Sequence, residues 1–327
     1  MAQLDVSKMF EGVDALDTIQ IILVVIISIL LANYLYIRWM MTANRRTDLD
    51  DIESFANPDS DAPDVNIVVL GNETLYDKFY AKIYDTIVDG EKRQEHEVGL
   101  TLVWAESYRP EAKTIEVLDI GCGTGGDVEE FRKKGVGKVV GADCSDAMIE
   151  VARKKYPKND YRVKEAENIG SFAASEFNLI TMYYFTFYYL RDRDQVLRNC
   201  YNWLQPGGCL VIHLVNREKF DPILESASPF VAFSVQKYAK ERVTRSKVTF
   251  DKFEYEADFN LDTDRAEFRE EFRFKDSKKT RRQVHHLRMP KMDEIVSEVE
   301  ANGFTYKQYI DLTPIGYEYQ YLFCFVR

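Results

Sequence analysis

Val117-Leu118-Asp119-Ile120-Gly121-Cys122-Gly123-Thr124-Gly125-Gly126 is the stretch that decides the fold. The apolar run 115–120 (IEVLDI) reads as a short buried strand, and the glycines follow it directly. Glycine at a strand-to-helix turn lets backbone approach a ligand where a side chain would clash. The next residues, DVEEFRKK, read as a helix stopped by Gly135. A second strand, 138–142, ends at Asp143, a carboxylate placed to accept hydrogen bonds from ribose hydroxyls. Gly121, Gly123 and Gly126 also satisfy GxGxxG, a pattern that by itself fits a dinucleotide site equally well.

Strand and helix keep alternating outward from this turn. Ser145 can cap the helix DAMIEVARKKY, which Pro157 ends. Strands are expected over 161–164, 177–183 and 209–215, with a helix over 192–204 and Pro206-Gly207-Gly208 as the turn out of it. This βαβα order predicts a doubly wound α/β fold with a mainly parallel, Rossmann-like sheet. Upstream, Leu75, Phe79, Ile83 and Ile87 at spacing four predict an amphipathic helix, and 91–108 a second. Downstream, the period changes to two. Phe253, Tyr255, Ala257, Phe259 and Leu261 alternate with polar residues, as do Ala266, Phe268, Phe272 and Phe274, and 283–289 is a candidate third member. These predict antiparallel strands with one buried face. A helix over 292–301 and strands over 304–312 and 319–326 close the chain.

The motifs in this order resemble the class I S-adenosylmethionine-dependent methyltransferases. VLDIGCGTG is similar to the family's first motif, and GADCSDAMIEVARKK to its second. KEAENI is similar to its third, with Glu165 where Asp is usual. FNLITMYYF is similar to the strand-four motif, with Asn178 replacing Asp, and LQPGGCLVI to the turn before strand five. The likeness covers about residues 70–327. It implies S-adenosyl-L-methionine as cofactor and a seven-stranded sheet whose last strand is antiparallel. It implies cofactor contacts from Asp119, Gly121, Cys122, Gly123, Thr124, Gly125, Asp143, Cys144, Met148, Glu165, Ala166 and Tyr183. The insertion 216–290 resembles the antiparallel β cap of small-molecule N- and O-methyltransferases of the glycine N-methyltransferase type. A nicotinamide dehydrogenase needs neither Asp119 nor LQPGG at these places.

Methyl transfer asks the protein for binding and orientation, and only for some nucleophiles for a base. Tyr183, Tyr184 and Tyr188 follow strand four, where this family often places substrate-facing groups, although YYFTFYYL also reads as a core run. His213 lies on an apolar strand and reads as a core histidine. His285 and His286 alternate on a cap strand, so at most one faces a cleft. Tyr76, Tyr80 and Tyr84 share one helix face at spacing four. Together with His286 and Arg288 they are the candidate acceptor contacts. Arg281, Arg282 and Arg288 add local positive charge, and one pointing inward would favour an anionic or zwitterionic acceptor. The expected function is methyl transfer to N or O of a small molecule. Methylation of a membrane lipid or quinone, and a non-catalytic cofactor-binding module, are the alternatives.

Composition bounds the rest. In 327 residues, 43 Lys+Arg stand against 54 Asp+Glu, a net charge of -11, which makes nucleic acid an unlikely partner. Five cysteines without a repeated spacing argue against a disulfide scaffold, and neither they nor four histidines suggest a metal site. Residues 19–41 (IQIILVVIISILLANYLYIRWMM) carry no charge before Arg38 and end in Tyr34, Tyr36 and Trp39. They predict a single transmembrane helix. With Arg38, Arg45 and Arg46 after the span, the N-terminus is expected outside and the catalytic domain cytosolic. The expected organisation is a tail (1–18), the span (19–41), an acidic flexible linker (42–66) and a methyltransferase domain (67–327).

Overall fold

A computed structural model of the chain describes residues 20–21, 23–34, 67–72, 74–88, 91–108, 114–222, 241–250 and 252–327. Two compact units divide it, 1–57 and 58–327. In the first, residues 20–21 and 23–34 are helical. A bilayer crossing takes about 20 apolar helical residues. Among the described residues no helix is long and apolar enough to cross a membrane. This corrects the expected span over 19–41, and with it the outside N-terminus and cytosolic domain that rested on the span. The run is apolar, but the helix described on it is too short. The tail 1–18 and the linker 42–66 lie outside the described residues.

The second unit begins with β1 (Ile67–Leu70), α1 (Lys78–Val88) and α2 (Glu91–Tyr108). Then come β2 (Glu116–Ile120), α3 (Gly126–Lys133), β3 (Lys138–Asp143), α4 (Asp146–Lys155), β4 (Asp160–Val163) and β5 (Phe177–Met182). A short α5 (Thr186–Tyr189), α6 (Arg193–Trp203) and β6 (Leu204–Val215) complete the alternation. β2 and β5 are buried along almost their whole length, as central parallel strands covered on both faces must be. α3 carries Asp127 and Glu129 in its first turn and Arg132 and Lys133 in its last, matching the helix dipole. α4 is capped by Ser145, whose hydroxyl accepts from the Met148 N–H at 3.1 Å.

The main sheet has the order β11-β12-β6-β5-β2-β3-β4, with β11 (Thr305–Asp311) and β12 (Gln320–Val326) following α7 (Met292–Ala301). β12 is antiparallel to both neighbours, while the strands from β6 to β4 run parallel. The chain winds one way from β2 through β3 to β4, and the other way through β5 to β6. Strand order therefore reverses between β2 and β5, where such folds open a crevice at the carboxyl ends of the strands.

A second sheet, β1-β10-β9-β8-β7, joins β7 (Arg245–Thr249), β8 (Phe253–Asp262), β9 (Arg265–Phe274) and β10 (Thr280–Arg288) as antiparallel neighbours. Phe259, Ala266 and Leu287 from this sheet share one core with Ile180, Trp203 and Ile212 of the main layer. The cap is thus fused to the domain rather than flexibly appended.

Two features differ from the sequence expectation. β1 pairs in parallel with β10, more than 200 residues later in the chain, and no local pattern announces so distant a partner. β6 starts at Leu204, so Pro206-Gly207-Gly208 lies within the strand as an irregularity opposite Asn178. The left-handed Gly207 (φ 77°) makes this possible. Its N–H donates to the carbonyl of Arg327, which ties the C-terminus to this edge.

Candidate active site

The turn from β2 to α3 holds Gly121, Gly123 and Gly125 at φ 73°, 52° and 86°. These conformations favour glycine, but the surroundings differ. A Cβ on Gly125 would lie 2.4 Å from the Tyr161 hydroxyl, whereas one on Gly123 would meet nothing within 4 Å. Gly125 is therefore required by packing. Gly123 presents bare backbone to open space.

Asp143 stands beside that opening. Its carboxylate accepts from the Gly123 N–H at 3.0 Å and the Ser145 N–H at 2.8 Å. Burial pushes this carboxyl up, and the backbone donors oppose the shift. Asp119 is buried at the end of β2, with one oxygen accepting from the Thr181 hydroxyl at 2.8 Å and the other without a hydrogen-bond partner. Burial, then the neighbouring Asp127, hold its carboxyl well above the usual range. Asp127, in the first turn of α3, is pushed up to about 7 by burial against the attraction of Arg93. An orphaned buried oxygen and an unfilled cradle at Gly123 both suit a polar ligand lying across this turn.

The remaining expected cofactor residues lie on this turn and on the segments that follow it. Thr124 donates to Asp85 at 2.6 Å and so latches α1 to the loop. Cys122 is buried behind the turn, its thiol pushed well up by burial. Cys144 is exposed as a residue, while partial desolvation of its thiol by the surrounding chain raises it to about 11. Met148 is buried. Glu165 is exposed, and the half-buried Ala166 packs against the main core. Tyr183 does not join them. Its hydroxyl donates to Thr101 at 2.8 Å and its ring stacks on Phe131 within a separate core cluster.

Tyr188 is likewise a core residue: it is buried and accepts from the Val215 N–H at 2.8 Å. Tyr184 differs. It is half-buried at a left-handed φ of 52°, with the Arg93 guanidinium 4.5 Å from its ring centroid. Arg93 pairs with Glu97 at 2.5 Å, and Glu97 lies 2.6 Å from His213 Nδ1. Burial alone would raise the Glu97 carboxyl, but Arg93 and His213 outweigh it and hold it low. His213 is fully buried, its Nε2 3.0 Å from Gln320. It acts as the core histidine that its apolar strand suggests.

Tyr76, Tyr80 and Tyr84 form an aromatic wall, with ring centroids 5.6 to 6.4 Å apart. The wall touches the glycine-loop side, because the Ser145 hydroxyl donates to the Tyr76 carbonyl at 2.6 Å. Its other side meets the cap, where the His285 ring lies 6.2 Å from Tyr76 and 5.8 Å from Tyr80.

On β10 the inward residue is His285, not His286. The His286 side chain is 59% exposed, and its backbone pairs with Asn72. Arg288 is also exposed and borders a separate hollow of about 750 Å³ with Arg193, Asp264 and Glu298. Arg282 pairs with Glu271 on the outer face. Arg281 points in, but Asp77 at 2.7 Å and Gln283 at 2.8 Å already hold it. The expected acceptor contacts His286 and Arg288 thus both lie on the exposed face of the strand.

His285, Glu270 and Tyr189 form a polar group that the sequence reading did not select, although it placed His285 and His286 on opposite faces. A signal for His285 existed. Arg281, Gln283, His285 and Leu287 share one face of β10, and the apolar Leu287 identifies that face as the inner one. Among the described residues, no group of three or more His, Cys, Asp or Glu side chains could hold a metal ion.

Residues 117–208 match the family model described as "Methyltransferase domain". Over 143 residues the chain is 35% identical to dTDP-4-amino-2,3,4,6-tetradeoxy-D-glucose N,N-dimethyltransferase of Saccharopolyspora spinosa. That stretch is 42% of this chain and 55% of the relative, and the chain spans about half the length of the curated relatives it matches. Among solved structures, an S-adenosylmethionine-dependent methyltransferase from Clostridium acetobutylicum ATCC 824 superposes with a TM-score of 0.56 at 16% identity. The match covers 76% of this chain and 97% of that one. SAM-bound CalS10, an amino pentose methyltransferase from Micromonospora echinaspora, superposes with a TM-score of 0.54 at 19% identity. It covers 75% and 96%. At these identities the solved structures speak for the fold, and the family model for the glycine-loop half. Residues 117–208 thus match the methyltransferase-domain model, and the chain shares the fold of these solved S-adenosylmethionine-dependent methyltransferases.

Proposed function

We propose that the protein transfers a methyl group from S-adenosylmethionine to the nitrogen of a small amine. When bound, the cofactor supplies an electrophilic methyl on a sulfonium. The observation that carries the reading is the open backbone at Gly123 beside Asp143, facing the tyrosine wall. Asp143 would take the ribose hydroxyls. Backbone of Gly121, Cys122, Gly123, Thr124 and Gly125 would carry the amino-acid part and sugar, with Asp119 beneath. Cys144, Met148, Glu165 and Ala166 would border the adenine.

A small acceptor is supported by the cap, which shares its core with the sheet instead of leaving a broad face. An amine is supported by what lines the inside of the cap. The inward arginine, Arg281, is already paired with Asp77, so the motive for an anionic acceptor falls away. A buried carboxylate, Glu270, and several tyrosines remain, and both suit a cation. The Saccharopolyspora relative, by its name an N,N-dimethyltransferase of an amino sugar nucleotide, points the same way.

The test is calorimetry with S-adenosylmethionine, followed by labelled-methyl transfer to amine and hydroxyl pools that include dTDP-4-amino-2,3,4,6-tetradeoxy-D-glucose. Binding with label on amines is the expected result. Label only on hydroxyl compounds would overturn the amine, and absence of cofactor binding would overturn the whole reading.

A further inference from the structure

A chain of hydrogen bonds runs from the crevice into the cap. Tyr76 stands edge-on to Tyr189, ring centroids 5.8 Å apart, with the two hydroxyls within interaction range. The Tyr189 hydroxyl lies 2.5 Å from His285 Nδ1, and His285 Nε2 lies 2.6 Å from a carboxylate oxygen of Glu270. Glu270 is fixed in turn, accepting from the Tyr255 hydroxyl at 2.6 Å and the Gln283 amide at 2.5 Å. Four separate elements supply this chain: the segment before α1, α5, β10 and β9. It ends at Tyr76, which is half-buried and close enough to Asp143 to feel its charge.

Its electrostatics are unusual for a structural network. Glu270 is 2% exposed, and among the described residues its only ion-pair partner is His285. Burial would raise its carboxyl, but a protonated His285 and two neutral donors pull it below the ordinary value. A buried carboxylate with no Lys or Arg beside it is costly. It becomes neutralised when a proton arrives on His285. Among the described residues, the titratable groups facing His285 are Glu270, Tyr76, Tyr80 and Tyr189, with Tyr255 behind Glu270; none of these is a permanent cation. Burial drives all four tyrosines up, so they stay protonated and serve as conduits rather than as the final base.

We propose that Tyr76, Tyr189, His285 and Glu270 form a proton relay that takes the proton an amine must lose before it can be methylated, an inference that rests on the amine reading above. With its Nε2 proton directed at Glu270, His285 offers a bare Nδ1 to Tyr189. The acceptor's ammonium N–H breaks and its proton goes to the Tyr76 oxygen. The Tyr76 proton moves to Tyr189, and the Tyr189 proton to His285 Nδ1. The nitrogen keeps the pair of the broken N–H bond and would form the new C–N bond with it, while the separate C–S bonding pair would stay on the sulfur of the bound cofactor. One ammonium proton is lost and one imidazolium gained, and the relay's charge passes from negative to neutral. Water receives the proton after the product leaves. Tyr76 is the group that meets the acceptor, and the other three position and charge it.

The test compares the full chain with Tyr189→Phe, His285→Gln and Glu270→Gln, each first required to bind S-adenosylmethionine as the parent does. With dTDP-4-amino-2,3,4,6-tetradeoxy-D-glucose and a set of small primary amines, each change should lower kcat by about 10–100-fold near neutral pH. The deficit should shrink to within about threefold near pH ~10, where amines lose their proton to water unaided. A deficit that stays constant with pH would reduce the network to a structural role and overturn the relay. A second readout needs no acceptor. Nitrogen-15 NMR of the histidines should show His285 protonated at Nε2 alone near neutral pH, with its Nδ1 signal moved by Tyr189→Phe. A His285 carrying both protons, or one on Nδ1, would overturn the relay whatever the acceptor is. Loss of S-adenosylmethionine binding in the parent would instead overturn the methyltransferase reading.

Discussion

Two glycines two residues apart answer to different demands. Gly123→Ala adds a methyl to open space, so its stability cost should be limited to the left-handed backbone, about 1–2 kcal/mol. It should nevertheless abolish S-adenosylmethionine binding by filling the cradle. Gly125→Ala should do the reverse of this economy, driving a Cβ into the Tyr161 ring and lowering the melting temperature well beyond the Gly123 variant. Calorimetry and thermal unfolding on both proteins separate the two effects; equal melting temperatures would refute the distinction. Asp143→Ala should weaken cofactor binding by about 1.5–3 kcal/mol, the worth of a charge-assisted hydrogen bond. An unchanged affinity would remove Asp143 from the site. Sequence spacing was sufficient to single out these three residues, because a glycine's tolerance and an acid at a strand end are local properties. It was not sufficient for Tyr183, Tyr184, Tyr188 and Tyr189. In YYFTFYYL nothing but the surrounding fold distinguishes the rings in the core, Tyr183 and Tyr188, from those at the crevice, Tyr184 and Tyr189.

At the scale of an element, α3 illustrates a conflict between local preference and burial. Asp127 is well placed for the positive end of the helix, yet burial lifts its carboxyl to about 7. The folded protein therefore holds a proton that the unfolded chain has released. Stability should fall as pH rises from about 4 to about 7, because the native state binds more protons over that window. The gap between the ordinary 3.8 and about 7 corresponds to on the order of 4 kcal/mol. Asp127→Asn should flatten much of this slope in denaturant unfolding measured across pH, with a remainder from Asp119, whose carboxyl burial also raises. A slope unchanged in the variant would refute it. The start of α4 behaves more simply. Ser145→Ala should cost about 1 kcal/mol as a lost cap. It should also free the Tyr76 carbonyl that the same hydroxyl holds, and so loosen the tyrosine wall. The cap was legible in the sequence; the bond to Tyr76, 69 positions away, was not.

For the whole molecule, the unit boundary near residue 58 and the pairing of β1 make a joint prediction. A chain beginning at residue 58 should fold and bind S-adenosylmethionine. One beginning at residue 72 loses β1, exposes the edge of β10 and should melt at a lower temperature, with its largest chemical-shift changes at the cap. Equal melting temperatures for the two would show that β1 contributes nothing to the cap.

The sequence by itself determined the alternating α/β layer, the glycine turn with Asp143 at the end of the next strand, the antiparallel cap and the order of all of them. These follow from periodicity, turn chemistry and capping, which act over a few residues. Only the tertiary structure decided that His285 faces inward while His286 faces water, that Arg281 is consumed by Asp77, and that the apolar run near the N-terminus carries no described helix long enough to cross a membrane. It also brought Glu270, His285, Tyr189 and Tyr76 together from four elements. The reason is physical: a strand's pattern of alternation separates its two faces, but which face is buried depends on what packs against it, and that partner lies far away in the chain.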